Sequence, residues 1–225
     1  MERSRAQLGG RYRAAGLLLL ALGHEQLKGA PTHTSASALL EASRLGLPAA
    51  QVHLAEQLED GAGVISADPL KASRLYEQGA ASADDLGVSL RRWGVLLATG
   101  ASSESSIADL PRAHKVFRLA AAAGDTDGMF NLAKQLEHGH GCEADFGAAR
   151  RFYEAAAQRG HVLASANLAR VIEEAGELQQ ACAAYKKAAE AGDADSQWEL
   201  ARLLLRGRGC LRDTGAARRW TRAAA

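Results

Sequence analysis

The chain repeats itself, and that limits what it can fold into more than any other feature. LAKQLEHGHGCEAD (132–145) and LARLLLRGRGCLRD (200–213) share a Leu-Ala pair, a second leucine four residues after the first, Gly-x-Gly-Cys and a closing aspartate. LAEQLEDGAGVISAD (54–68) is a third copy, with one extra loop residue and valine in the cysteine slot. A second pattern, Ala-x-x-x-aromatic-x-x-Ala-Ala-x-x-Gly, alternates with the first in AHKVFRLAAAAG (113–124), ARRFYEAAAQRG (149–160), ACAAYKKAAEAG (181–192) and, more weakly, ASRLYEQGAASA (72–83). Its aromatic slot sets a register of Leu39, Tyr76, Phe117, Tyr153, Tyr185 and Thr221, spaced 32 to 41 residues apart. A unit of that length cannot close a core alone, so it buries its apolar surface by stacking on its neighbours.

Within each unit the spacing predicts two helices. The alanines and the ring four residues on share one helical face, which lets neighbouring helices approach while the ring fills the gap. Glycines 124, 160 and 192 stand where that helix must stop. The second helix carries its leucines as a stripe, Leu132 with Leu136 and Leu200 with Leu204. Gly-x-Gly then reverses the chain, and Asp68, Asp109, Asp145 or Asp213 caps the next helix, with Pro69 suited to a first helical position.

The same alignment decides how LEHGHGCEAD (136–145) is read. The slot after Gly-x-Gly holds Cys142, Cys210 and Val64, which predicts a buried apolar position, since a free thiol packs as a small hydrophobe. His138 aligns with Arg206 and Asp60, and His140 with Arg208 and Ala62. Metal ligation does not tolerate that range of residues, so the stretch reads as a solvated turn and no metal is expected.

Composition narrows the class. Few β-branched residues and 5% aromatics among abundant alanine and leucine argue for helices rather than a large sheet. A net charge of +1 creates no global field toward nucleic acid or an anionic membrane. Three cysteines at no familiar metal or redox spacing favour a compartment that keeps thiols reduced, such as the cytoplasm.

These motifs resemble the Sel1-like repeats, relatives of the tetratricopeptide repeats, over roughly residues 20–225. The resemblance implies an all-α fold, a right-handed α/α solenoid of about five to six helix-turn-helix repeats, acting as an adaptor between proteins. Two departures stand out: the copy at 168–177 lacks the Gly-x-Gly loop, and the copy starting at Trp93-Gly94 is followed by an insert, ASSESS (101–106).

Residues 1–19 form an N-terminal extension or the start of a degenerate repeat. Arg3, Arg5, Arg11 and Arg13 precede the apolar run AAGLLLLAL (14–22), so residues 1–23 also read as a targeting segment, either a mitochondrial or other organellar transit peptide or a secretory signal. The run is too short to span a bilayer, which takes about 20 residues. Leu22-Gly23 with Gly29 matches the Leu54-Ala55 and Gly61 spacing, and this favours a second helix of a first, degenerate repeat.

No motif points to catalysis or to a cofactor. His24-Glu25 opens like a zinc-protease motif, but Lys28 stands where the second histidine must be. No nucleophile elbow and no phosphate-binding loop is present. A hydrolase carried on the repeats would need converging titratable groups, whereas both loop histidines occupy variable slots. The candidate partner-binding residues come instead from a recurrent cation two residues before the aromatic slot: Arg74, Lys115, Arg151 and Arg219, with Ser37 and Ala183 in the other copies. The slot lies roughly opposite the buried alanine, so it predicts exposed charges suited to an acidic segment of a partner. Trp220 joins them, either covering the preceding repeat or docking on another chain. The basic C-terminal stretch lacks the interleaved aromatics of a nucleic-acid site. The reading is a non-catalytic scaffold in a multiprotein assembly, or else a permanent structural subunit of a large complex, with no small-molecule substrate.

Overall fold

In the computed structural model, residues 2–28, 31–79, 86–102 and 107–224 are described. The last four residues of the ASSESS insert, the end of the weak copy at 80–83 and Gly29 lie outside them. Among the described residues the chain forms twelve α-helices and no strand longer than a single bridge. They are α1 (Glu2–Lys28), α2 (His33–Arg44), α3 (Pro48–Asp60), α4 (Pro69–Gly79), α5 (Leu86–Thr99), α6 (Leu110–Ala122), α7 (Thr126–His138), α8 (Phe146–Gln158), α9 (Val162–Glu174), α10 (Leu178–Glu190), α11 (Ala194–Arg206) and α12 (Thr214–Ala223). The chain divides into two compact units, Met1–Asp125 and Thr126–Ala225, and within each unit successive helices pack on one another, the arrangement of an α/α solenoid.

The expected faces are buried in both units. In the first, Ala72 and Tyr76 of α4 are fully buried against Ala55 of α3 and Leu96 of α5. In the second, Ala149 and Tyr153 of α8 are fully buried, and Ala181, Cys182 and Tyr185 of α10 share a core with Leu200 and Leu203 of α11. Burying such side chains contributes about 1.5–3 kcal/mol each, which is how helices of 13 residues hold their shape. The chain turns where glycine predicts it, with φ of 90° at Gly124, 88° at Gly160 and 95° at Gly192. All four aspartate caps form: Asp68, Asp109, Asp145 and Asp213 accept from the amides of Lys71, Arg112, Ala148 and Ala216. Three more caps follow the same logic without the motif: Thr32 accepts from the amide of Ser35, Asp193 from that of Ser196, and His161 Nδ1 from that of Ala164.

A partly buried polar clamp joins successive helices. Tyr76 Oη donates to Glu59 at 2.9 Å, and Arg92 donates to both at 3.1 Å. Tyr153 Oη donates to Glu137 at 2.8 Å, and Arg170 pairs with the same carboxylate. Tyr185 lies against Glu173, which accepts from Arg202 at 2.6 Å. Each tyrosine of the aromatic slot therefore fills a core at its ring and closes a three-helix polar joint at its tip.

Two expectations require correction. Val64 is not buried but 42% exposed, while Ile65 turns inward onto the core of α2 and α3. The extra loop residue is the reason: Ala62 and Ile65 exchange both backbone hydrogen bonds at 2.9 Å, closing a tight loop that rotates position 64 outward. Cys142 and Cys210, in shorter loops, are half-buried rather than fully buried. Among the described side chains of α1 the buried ones are Ala14 and Ala21, with Leu17 and Leu18 packed beside them, while Leu22 and Gly23 of the sequence register are only half-buried. That face is selected by contact with Leu39, Ala42 and Leu54, and α1 packs on α2 as α3 packs on α4.

Candidate partner-binding grooves

Three grooves recur at one repeat position, each between two successive first helices and over the second helix that separates them. In the first unit, α2, α3 and α4 enclose about 620 Å³ lined by Leu40, Leu54, Leu58, Ile65, Arg74 and Leu75, among others. In the second unit, α10, α11 and α12 enclose about 740 Å³ lined by Lys186, Leu200, Leu204, Cys210, Arg219 and Trp220, among others. Leu54 and Leu200, and Leu58 and Leu204, are equivalent in the Leu-Ala motif, and Arg74 and Arg219, and Leu75 and Trp220, in the aromatic register. The third groove, between α8, α9 and α10, holds only about 100 Å³. Its connection is the short one, residues 175–177, so it has no loop wall where Ile65 or Cys210 stands in the others.

The candidate residues divide accordingly. Arg74, Lys115, Arg151 and Arg219 are all exposed, as their slot predicts. Among the described residues none of the four is held by an ion pair, whereas Arg92, Arg150, Arg170 and Arg202 all are. Arg74 lines the α2–α4 groove, and Arg219 with Trp220 lines the α10–α12 groove. Lys115 on α6 and Arg151 on α8 line neither. Trp220 is half-buried and packs on the core of α10 and α11, so it covers the preceding repeat with one side and faces the groove with the other. Arg44, Lys71 and Leu40 also line the α2–α4 groove, and the sequence reading did not select them. Position relative to the aromatic slot could have found Leu40, which directly follows Leu39.

The loop histidines and two of the cysteines make contacts within the fold. The His138 and His140 rings stack 5.3 Å apart on the exposed loop, and His138 Nδ1 donates to Lys134 O. Burial, reinforced by contact with Cys210, pushes the Cys182 thiol up to about 12, and burial raises Cys142 as well, which keeps both protonated and unreactive. A fourth concavity between α9 and α11 is rich in charge, but Glu173 and Glu199 there bind Arg202, Glu174 binds Arg170, and Asp193 caps α11.

The Sel1 repeat pattern matches residues 48–84, 88–125, 126–161, 179–193 and 194–225, well over half of the chain. The chain belongs to the Sel1 repeat family. Sel1 repeats generally mediate protein binding, and their solenoid fold is typically non-catalytic. Among solved structures, the chain is similar to c5321, a protective antigen of uropathogenic Escherichia coli strains displaying an SLR fold, with TM-score 0.81 and 25% identity. That match covers 94% of this chain and 45% of the antigen, so the chain spans less than half of that protein's length. A Sel1 repeat protein from Oxalobacter formigenes shares the fold at TM-score 0.72 and 21% identity, over 96% of this chain and 86% of that one. No match was found among curated proteins. No described helix is long and apolar enough to cross a membrane.

Proposed function

We propose that this Sel1 repeat protein is a non-catalytic scaffold that holds other proteins on the faces of its first helices, within a multiprotein assembly. One observation carries the reading: two of the recurring apolar grooves each have an exposed arginine of the same slot at the rim, which among the described residues forms no ion pair. An acidic partner segment supplies that counter-charge. The three free cysteines, two of them held as inert thiols, support a reducing compartment such as the cytoplasm. Lys115 and Arg151 extend the cationic surface of their own units without a groove beneath them.

The test is purification of the tagged full chain from its own cells beside a chain carrying Arg74→Glu and Arg219→Glu. A partner recovered in near-equal amount with the unaltered chain and depleted with the variant is the expected result. Absence of any stoichiometric partner from the unaltered chain would overturn the scaffold.

A further inference from the structure

The α2–α4 groove differs from its counterpart in charge. Its floor and walls are aliphatic: Leu54 and Leu58 from α3, Ile65 from the loop, Leu40 and Leu75 from the flanking first helices. Leu40 is 40% exposed although α2 offers it buried neighbours, so the groove leaves a large apolar side chain uncovered. The rim carries Arg44, Lys71 and Arg74, and no carboxylate lines the groove. Lys71 is held by Asp68 at 2.7 Å, but Arg44 and Arg74 are exposed and, among the described residues, in no ion pair. In the α10–α12 groove, by contrast, Asp213 shares the lining with Lys186 and Arg219.

Resting on the scaffold reading, we infer that the α2–α4 groove is a docking site for a short peptide segment of a partner protein, in which a leucine-sized apolar side chain is flanked by carboxylates. The apolar side chain seats on Leu40, Leu58 and Leu75, where it displaces water from surface the chain leaves open. The flanking carboxylates lie toward Arg44 and Arg74, whose guanidinium forks bind such groups bidentately. A volume of about 620 Å³ falls within the roughly 300–1,000 Å³ of ordinary ligand clefts. Aliphatic lining offers no ring for base stacking, which favours a peptide over a nucleic acid. Two free cations around one cleft fall short of the polybasic surface that anionic membranes select.

The experiment uses the full chain with leucine methyls labelled and three fluorescein-labelled nonapeptides. One has a central leucine among glutamates and aspartates, one replaces that leucine with serine, and one keeps the leucine but replaces every acid with lysine. The first is expected to bind and to shift the Leu40 and Leu75 methyl signals, with the other two at least about tenfold weaker, a difference of about 1.4 kcal/mol. Arg44→Glu with Arg74→Glu, both exposed and outside the core, should weaken the first peptide by about tenfold or more, whereas Arg118→Glu, at an exposed position that lines neither groove, should leave it within about twofold. Equal binding of the serine peptide, an unaltered affinity in the double variant, or no binding of any peptide at millimolar concentration would overturn the inference. Tighter binding of a single-stranded oligonucleotide or of phosphatidylserine vesicles, lost in the same variant, would overturn it too. If a stoichiometric cellular partner stays with the Arg44→Glu, Arg74→Glu chain, the groove assignment fails while the scaffold stands. If the unaltered chain has no partner, the scaffold fails independently.

Discussion

Gly209, the second glycine of its Gly-x-Gly, sits at φ 72°, and a Cβ added there would lie 2.0 Å from the carbonyl oxygen of Leu178 at the start of α10. Gly63 meets Pro31 O in the same way at 2.5 Å, just before α2. In these two loops the second glycine is thus where the returning chain touches the entry of the preceding first helix, and backbone cannot move aside as a side-chain tip can. Gly192 has an equally left-handed backbone at φ 95° but open space around its Cβ position. Gly209→Ala should therefore cost at least about 3 kcal/mol in urea unfolding, against about 1–2 kcal/mol for Gly192→Ala, where only backbone strain acts. Equal losses would mean that the close approach at Leu178 is unimportant. Gly94 gives the same lesson inside a helix: it takes the alanine position beside Trp93 because a Cβ would stand 2.7 Å from the Phe117 ring.

Among the elements, α1 is tied to α3 by polar and charged side chains as well as by its apolar face. His53 of α3 reaches Glu25 of α1 at 2.9 Å and Glu56 on its own helix at 3.5 Å, while Gln57 donates to Glu25 at 2.8 Å. The Glu56 carboxylate, and behind it Glu25, raise the His53 imidazole above its ordinary 6.5 against the opposing effect of burial. A raised histidine stabilises the folded form below 6.5, and that contribution is lost as pH climbs through the higher folded-state value. Amide exchange in α1 should therefore quicken relative to α3 as pH rises from mildly acidic to mildly alkaline, after correction for intrinsic rates. His53→Ala should flatten that trend. If the unaltered chain shows none, the histidine does not hold α1.

Across the molecule the same joint recurs, Tyr76 in the first unit and Tyr153 and Tyr185 in the second. Burial chiefly, together with the adjoining glutamates, holds all three phenols well above the ordinary value of 10.0, although the partner arginines pull the other way. An acid held protonated by the fold leaves stability intact below that value, and the unfolded chain gains by ionising above it. Stability should fall steeply as pH passes about 10. Replacing the three tyrosines with phenylalanine should lower stability near neutral pH by about 1 kcal/mol per lost hydroxyl and flatten the alkaline fall. A chain whose midpoint does not change between pH 9 and 11, values chosen to bracket about 10, would disprove a shared joint. Partner binding belongs to this scale as well, since a net charge of +1 leaves attraction to local patches.

The repeat, both helices of each unit, their glycine stops and the aspartate caps were legible in the residues, because each depends on neighbours within a few positions along the chain. Helical periodicity placed the alanine and aromatic faces inward, and the cation slot outward, without any need for a partner helix. What lay beyond it were features set by which surface another segment covers. The buried side of α1 shifted off the Leu22-Gly23 register because α2 and α3 select Ala14 and Ala21. Val64 turned out and Ile65 in because one added residue lets the loop close upon itself. Glu59, Glu137 and Glu173 became joints only when a tyrosine and an arginine from two later helices met them. The chain by itself thus determined the period and the inward face of its repeats, since those follow from helix geometry. Only tertiary packing decided which of the outward cations stand over an open apolar groove, because a groove exists only between helices brought together.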